Sequence, residues 1–159
     1  MRFIWTENGK VLTKTVYNAD FVQWAKSHGG RWNPHNKVWS FDISKLLEVS
    51  WALYKYYSLV DKSIIDCVTI EYSAEKFEVY KTNHQTVIAV GGQIMAYRPR
   101  RDSPVVLSRS EIISGEFPPS GGSRYNPRVE ANGVILRSSI PRLIYEKLSE
   151  EDKKEVKLI

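Results

Sequence analysis

The spacing of hydrophobic and polar positions changes several times along the chain, and each change marks an element. Arg2-Phe3-Ile4-Trp5 and the run from Val11 to Tyr17 flank Asn8-Gly9, a dipeptide that accepts the left-handed conformations of a tight turn. Residues 2–17 are therefore predicted to form a hairpin. The period then lengthens. Phe21, Trp24, Ala25 and His28 fall on one face of a helix predicted from about Ala19 to His28. Asn18 is its N-cap, Asp20 suits its positive end, and Gly29-Gly30 terminates it. Arg31-Trp32 and Lys37-Val38-Trp39-Ser40-Phe41 flank Asn33-Pro34-His35-Asn36, which predicts a second hairpin. Asp42 or Ser44 then caps a second helix running to about Tyr57. Leu46, Val49, Leu53 and Tyr57 line one face, with Leu47, Trp51 and Tyr54 beside it.

Beyond residue 60 the pattern is mostly that of strands. Cys67–Tyr72 and Phe77–Lys81 predict a hairpin around Ser73–Lys76, and Thr86–Val90 and Gln93–Tyr97 predict another around Gly91-Gly92. Val105–Leu107 and Val134–Leu136 are further short strands. Gly115 to Pro127, rich in Gly, Pro and Ser, is expected to be a mobile loop. Pro141 fits a first helical turn, Ser149 with Asp152 forms a capping pair, and Glu146–Lys157 is expected as an amphipathic closing helix with Leu148 and Val156 on its apolar side. No repeat of fixed period is present. The expectation is an α+β protein: an N-terminal β-β-α-β-β-α module over residues 1–60, and a β-rich second half with a C-terminal helix over residues 61–159.

Composition supports folding. Of 159 residues, 42% are hydrophobic and 26% charged, a globular balance. No apolar run approaches the ~20 residues of a membrane span, and the first residues lack a signal-peptide stretch, so the expectation is a soluble, intracellular protein. The single cysteine, Cys67, excludes an internal disulfide and a multi-cysteine zinc site. Its place in the strand-like run Ile64–Ile70 predicts a small core residue.

Charge narrows the function. The formal net charge is +5, and residues 1–60 hold eight Lys/Arg against four Asp/Glu. This surplus favours an acidic partner such as nucleic acid. All five tryptophans, and twelve of the nineteen aromatic residues, lie in the same stretch. With Asn33–Asn36 as the loop, Trp32 stands opposite Lys37, and Arg31 opposite Val38. Trp32, Lys37, Trp39 and Phe41 then share one face, and Arg31, Val38 and Ser40 the other. Two readings remain open. Either the large rings are simply the core of a small domain, or rings and cations together form a surface on which bases stack and phosphates pair. Trp24, Trp39 and Phe41 favour the first reading, whereas Trp32, next to the loop, fits both. Lys26, Arg31 and Lys37 are candidate phosphate contacts, or else a solvated face.

Phe21, the run Gly29-Gly30-Arg31-Trp32-Asn33-Pro34 and the run Lys37-Val38-Trp39-Ser40-Phe41 together resemble the HARP domain of annealing helicases, and a similar unit precedes the motor of a phage recombination helicase. The resemblance covers about residues 11–58. It implies DNA binding, since in that family the domain binds DNA and directs an attached ATPase motor. The chain departs from the family in having no Gly-x-x-x-x-Gly-Lys-Ser/Thr phosphate loop. A lone module of this kind fits an accessory protein, of the sort that viruses and mobile elements carry. No cofactor is expected.

A second basic candidate is Tyr97-Arg98-Pro99-Arg100-Arg101-Asp102, where Arg98, Arg100 and Arg101 follow a strand and are placed to grip phosphates. Arg109, Arg124, Arg128, Arg137 and Arg142 are scattered. Two alternatives to a DNA-binding accessory protein remain. A metal-dependent nuclease would need clustered carboxylates, and Asp66, Glu71, Glu75 and Glu78 are the nearest group. His28, His35 and His84 lack a metal-ligand spacing. A protein–protein adaptor would use the amphipathic C-terminal segment.

Overall fold

The structure is a computed structural model that describes residues 2–62 and 66–159. Ile64 and Ile65, which open the strand-like run around Cys67, lie outside the described residues. The protein is α+β, and it divides into two compact units, one reaching to Asp66 and the other spanning Cys67–Ile159. The boundary falls a few residues beyond the one expected at 60. Among the described residues no helix is long and apolar enough to cross a membrane.

The N-terminal unit follows the predicted order. Strands β1 (Ile4–Glu7) and β2 (Lys10–Thr13) pair with Glu7 opposite Lys10, which leaves Asn8 and Gly9 as the two turn residues, both at positive φ. Helix α1 spans Ala19–Ser27, and the Asn18 side chain accepts a hydrogen bond from the Phe21 amide at 3.0 Å. Strands β3 (Arg31–Asn33) and β4 (Val38–Asp42) follow, then a 3₁₀ turn at Ile43–Lys45 capped by Asp42, then helix α2 (Leu46–Tyr57). The sheet is antiparallel in the order β1-β2-β4-β3. Its pairings put Ile4, Val11, Thr13, Trp39 and Phe41 on one face, all buried, because the helices cover that side. Phe21 of α1 meets the Trp39 ring edge-on at 6.5 Å, and Trp24 lies 5.7 Å from Phe41.

Gly29 and Gly30 do different jobs. Gly29 takes φ +75°, as a helix-ending glycine should, and has open space around it. Gly30 has no unusual φ, but a Cβ there would stand 2.8 Å from the Ala25 carbonyl oxygen and 2.8 Å from the Phe41 ring. Its missing side chain lets β3 begin directly against the core.

The C-terminal unit contains two four-stranded antiparallel sheets. One has the order β10-β11-β5-β12, formed by β5 (Cys67–Ser73), β10 (Ser110–Ser114), β11 (Ile135–Pro141) and β12 (Val156–Leu158). The other runs β6-β7-β8-β9, from β6 (Glu78–Tyr80), β7 (Thr86–Val90), β8 (Gln93–Tyr97) and β9 (Val106–Leu107). The hairpin expected around Ser73–Lys76 does not form. A 3₁₀ turn at Ala74–Phe77 buries Ala74 and Phe77 and carries the chain from β5 in one sheet to β6 in the other.

Alternation along β5 buries Val68, Ile70 and Tyr72, so Cys67 falls on the opposite parity and is exposed, contrary to the core position expected. The single closing helix is also corrected. Helix α3 (Arg142–Glu146) and helix α4 (Glu150–Glu155) are separated at Lys147–Ser149, and the Ser149 hydroxyl caps α4 by accepting from the Asp152 amide at 3.1 Å. Pro141 ends β11 and N-caps α3 rather than sitting in its first turn. Val156 belongs to an edge strand pairing with Tyr72 of β5.

Candidate nucleic-acid interface

The β3–β4 hairpin differs from expectation by one pair of residues. Its loop is Pro34–Lys37, closed by a hydrogen bond from the Lys37 amide to the Asn33 carbonyl at 2.9 Å and by the Asn33 side chain accepting from the His35 amide. Lys37 adopts φ +58° and so leaves the strand. Trp32 therefore pairs with Trp39 instead of Lys37, and Arg31 with Ser40 instead of Val38. A shift of one pair preserves side-chain parity, so Trp32, Trp39 and Phe41 still share a face, and Lys37 drops out of it.

Trp32 and Trp39 meet with ring centroids 5.5 Å apart. Trp39 is 7% exposed and belongs to the core, whereas Trp32 remains 47% exposed. Trp32 stands on the rim of a groove of about 350 Å³ whose walls are Thr15–Asn18, the Phe21, Val22 and Lys26 face of α1, and the rings of Trp39 and Tyr57. The linker from β2 to α1 forms one edge and is fixed there, since the Tyr57 hydroxyl donates to the Val16 carbonyl at 2.6 Å. The side chains of Val16, at that anchor, and Tyr17, just after it, are both largely exposed.

Lys26 therefore shares a groove with Trp32. Arg31 does not: it lies on the other face of the sheet, in a cross-strand row with Trp5, Leu12 and Ser40. On that face Arg2 sits over the Trp5 ring at 5.1 Å. Lys37 is exposed in the loop.

In the C-terminal unit the three arginine candidates separate. Arg98 is 1% exposed. Its guanidinium donates to the carbonyls of Arg128 (2.7 Å), Ser103 (2.8 Å), Pro118 (3.0 Å) and Val129 (2.9 Å). Burial is the largest influence on its pKa and pulls it down, opposed by the charges of Glu130 and Glu78. Arg98 is thus a structural clip, not a phosphate contact, because all its reach goes to backbone oxygens. Arg100 and Arg101 are exposed, and they line a cleft of about 740 Å³ with Asp102, Ser103, Arg124 and Tyr125.

The Gly115–Pro127 segment, expected as a mobile loop, is held in place by this clip and by its own bonds. The Gly121 amide donates to the Arg101 carbonyl at 2.9 Å, the Arg128 amide to the Gly121 carbonyl at 3.1 Å, and Ser123 and Asn126 exchange amide bonds. Sequence reasoning left Arg124 scattered and overlooked Tyr125. The signal available was an adjacent arginine and tyrosine set between Gly121-Gly122 and Pro127.

Two of the four carboxylates weighed for a nuclease, Glu71 and Glu78, have other work. Glu71 bonds Arg137 at 3.0 Å, its cross-strand partner. Glu78 accepts from the Thr86 hydroxyl and from the amides of Glu130 and Ala131. Among the described residues, no group of three or more His, Cys, Asp or Glu could hold a metal ion.

Set against protein-family models, curated proteins and solved structures, the chain matches none.

Proposed function

We propose that the N-terminal unit binds nucleic acid by stacking a base on Trp32 at the mouth of its aromatic groove, with Lys26 pairing an adjacent phosphate. The observation that carries this reading is the half-exposed Trp32 ring, held by the buried Trp39 beside a groove that also presents a lysine. A large aromatic left in water next to an anchored neighbour is a ready stacking platform, and a ring–base stack contributes ~1–3 kcal/mol. Lys37 and Arg31, on the loop and the opposite sheet face, add phosphate attraction of longer range. DNA is favoured over RNA by the resemblance of residues 11–58 to the HARP domain, and the reading is of an accessory binding protein.

The test is a titration of single-stranded, duplex and forked DNA, with and without Mg²⁺, against the wild-type chain and Trp32→Ala. The expected result is binding that weakens with salt and with loss of Trp32, and DNA that stays intact. Cleavage that requires Mg²⁺ supports the nuclease alternative. The adaptor alternative rests on the C-terminal segment; the exposed Trp51–Tyr54 pair on α2 offers a protein partner a different surface, and a partner held through that pair would be insensitive to Trp32→Ala.

A further inference from the structure

We infer that the cleft of the C-terminal unit is a second nucleic-acid site, specific for single strands, in which Arg100, Arg101 and Arg124 take phosphates and Tyr125 takes an unpaired base. This deepens the reading of the chain as a nucleic-acid binder, and it assigns the work to different residues.

The argument begins with Arg98. Burying a guanidinium is costly unless its donors are satisfied. Here they are satisfied by carbonyls from two separate segments: Ser103 on one side, and Pro118, Arg128 and Val129 on the other. The clip therefore ties the 99–103 loop to the 118–129 loop. Gly121 completes the join, since a Cβ there would run into the Arg128 carbonyl and crowd the Glu130 and Arg98 side chains. The result is a built cleft with Arg100 and Arg101 from one loop and Arg124 and Tyr125 from the other.

Its chemistry is one-sided. Three arginines line it against a single carboxylate, Asp102, which pairs with Arg101 at 3.2 Å on the surface. Tyr125 is 79% exposed, with the Arg124 guanidinium 5.3 Å from its ring centroid. An exposed ring beside guanidinium groups suits a base next to its phosphate. The cleft's 740 Å³ lies within the ~300–1,000 Å³ of ordinary ligand sites. A base can stack on Tyr125 only when its own face is free, which selects single-stranded chain over duplex. Because the loops are tied on folding, little ordering remains to oppose binding.

The experiment uses the full chain, a fluorescein-labelled oligothymidylate and a duplex of equal length. Tyr125→Ala is expected to weaken oligothymidylate binding by ~5- to ~150-fold while leaving duplex binding unchanged, and Tyr125→Phe to retain most of the affinity. Arg100→Ala with Arg124→Ala should lower the log–log salt slope by about 1.4, for two single-strand phosphates. All four side chains at issue are exposed, and thermal melts of each variant confirm that the unit is intact. An unchanged oligothymidylate affinity in Tyr125→Ala, or an equal loss on duplex, overturns the inference. Repeating the comparison in Trp32→Ala separates the two sites: losses that add support a second site, and binding by Trp32→Ala that no longer responds to Tyr125→Ala refutes it. If Trp32→Ala alone changes nothing, the groove reading fails and the cleft still stands or falls on Tyr125.

Discussion

Trp32 and Trp39 face each other across the β3–β4 hairpin with ring centroids 5.5 Å apart, yet Trp39 is buried and Trp32 is half open to water. The same residue type thus serves both as core and as surface within one cross-strand pair. Trp39→Ala removes a ring packed on Phe21 and should destabilise the N-terminal unit by ~3–5 kcal/mol. Trp32→Ala deletes a ring with about half its surface already hydrated and should destabilise it by less than half as much. Denaturant melts followed by circular dichroism compare the two.

The glycines after α1 give a second prediction. Gly30→Ala forces a methyl against the Ala25 carbonyl and the Phe41 ring, and should destabilise by ~1–3 kcal/mol through overpacking. Gly29→Ala meets no atoms but must hold φ +75°, at ~1–2 kcal/mol. One cost is packing and the other backbone conformation, so a cavity-making Phe41→Leu should partly rescue Gly30→Ala and leave Gly29→Ala unimproved. Stability measured on the two double variants checks this.

Much of the fold was legible in the sequence. Asn8-Gly9, Asn18 and the Gly29-Gly30 pair are local signals whose physics needs no distant partner, and the elements they bound formed where expected, except that the second strand stops at Thr13 instead of running to Tyr17. What was not legible depended on contacts far along the chain. β5 pairs with β11 and β12, more than sixty residues away, so nothing in Ser73–Lys76 disclosed that the expected hairpin would be a crossing between sheets. The same holds for the site. Trp32 was marked by its position near a turn. Arg98 looked identical to Arg100 and Arg101 as sequence, and only the convergence of four carbonyls distinguishes a clip from a solvent-facing cation.

That distinction carries a third prediction. Arg98→Lys keeps the charge but replaces a planar fork with a single ammonium, which cannot reach four acceptors in two loops. The variant should destabilise the C-terminal unit by ~1–3 kcal/mol, the cost of leaving the buried Val129 carbonyl bare, while the part-buried carbonyls turn to water. Hydrogen exchange should quicken at the amides of Gly121 and Arg128, whose bonds depend on the joined loops. Arg100→Lys, at the surface, should leave both measurements unchanged.

Tyr72 predicts a pH response in the same unit. Its hydroxyl is buried against Ser138, which in turn bonds Ser110 at 2.6 Å, and burial pushes its pKa up to about 12 from 10.0. A folded-state pKa above the unfolded one means a contribution fully present below pH 10 and lost as pH rises towards 12. The C-terminal unit should weaken across that window, and Tyr72→Phe should flatten this part of the profile. An ultraviolet titration should show a tyrosine ionising near pH 12, a step that disappears in Tyr72→Phe.

The central claim is that Trp32 is a stacking surface of a nucleic-acid-binding groove. Its most direct test is the affinity of the full chain for DNA, in single-stranded, duplex and forked forms, with Trp32 and with Ala in its place, each protein shown by melting to be folded. The account predicts that Trp32→Ala loses ~1–3 kcal/mol of binding to the preferred form while the unit stays folded. Equal affinity of the two proteins for all three forms would contradict it.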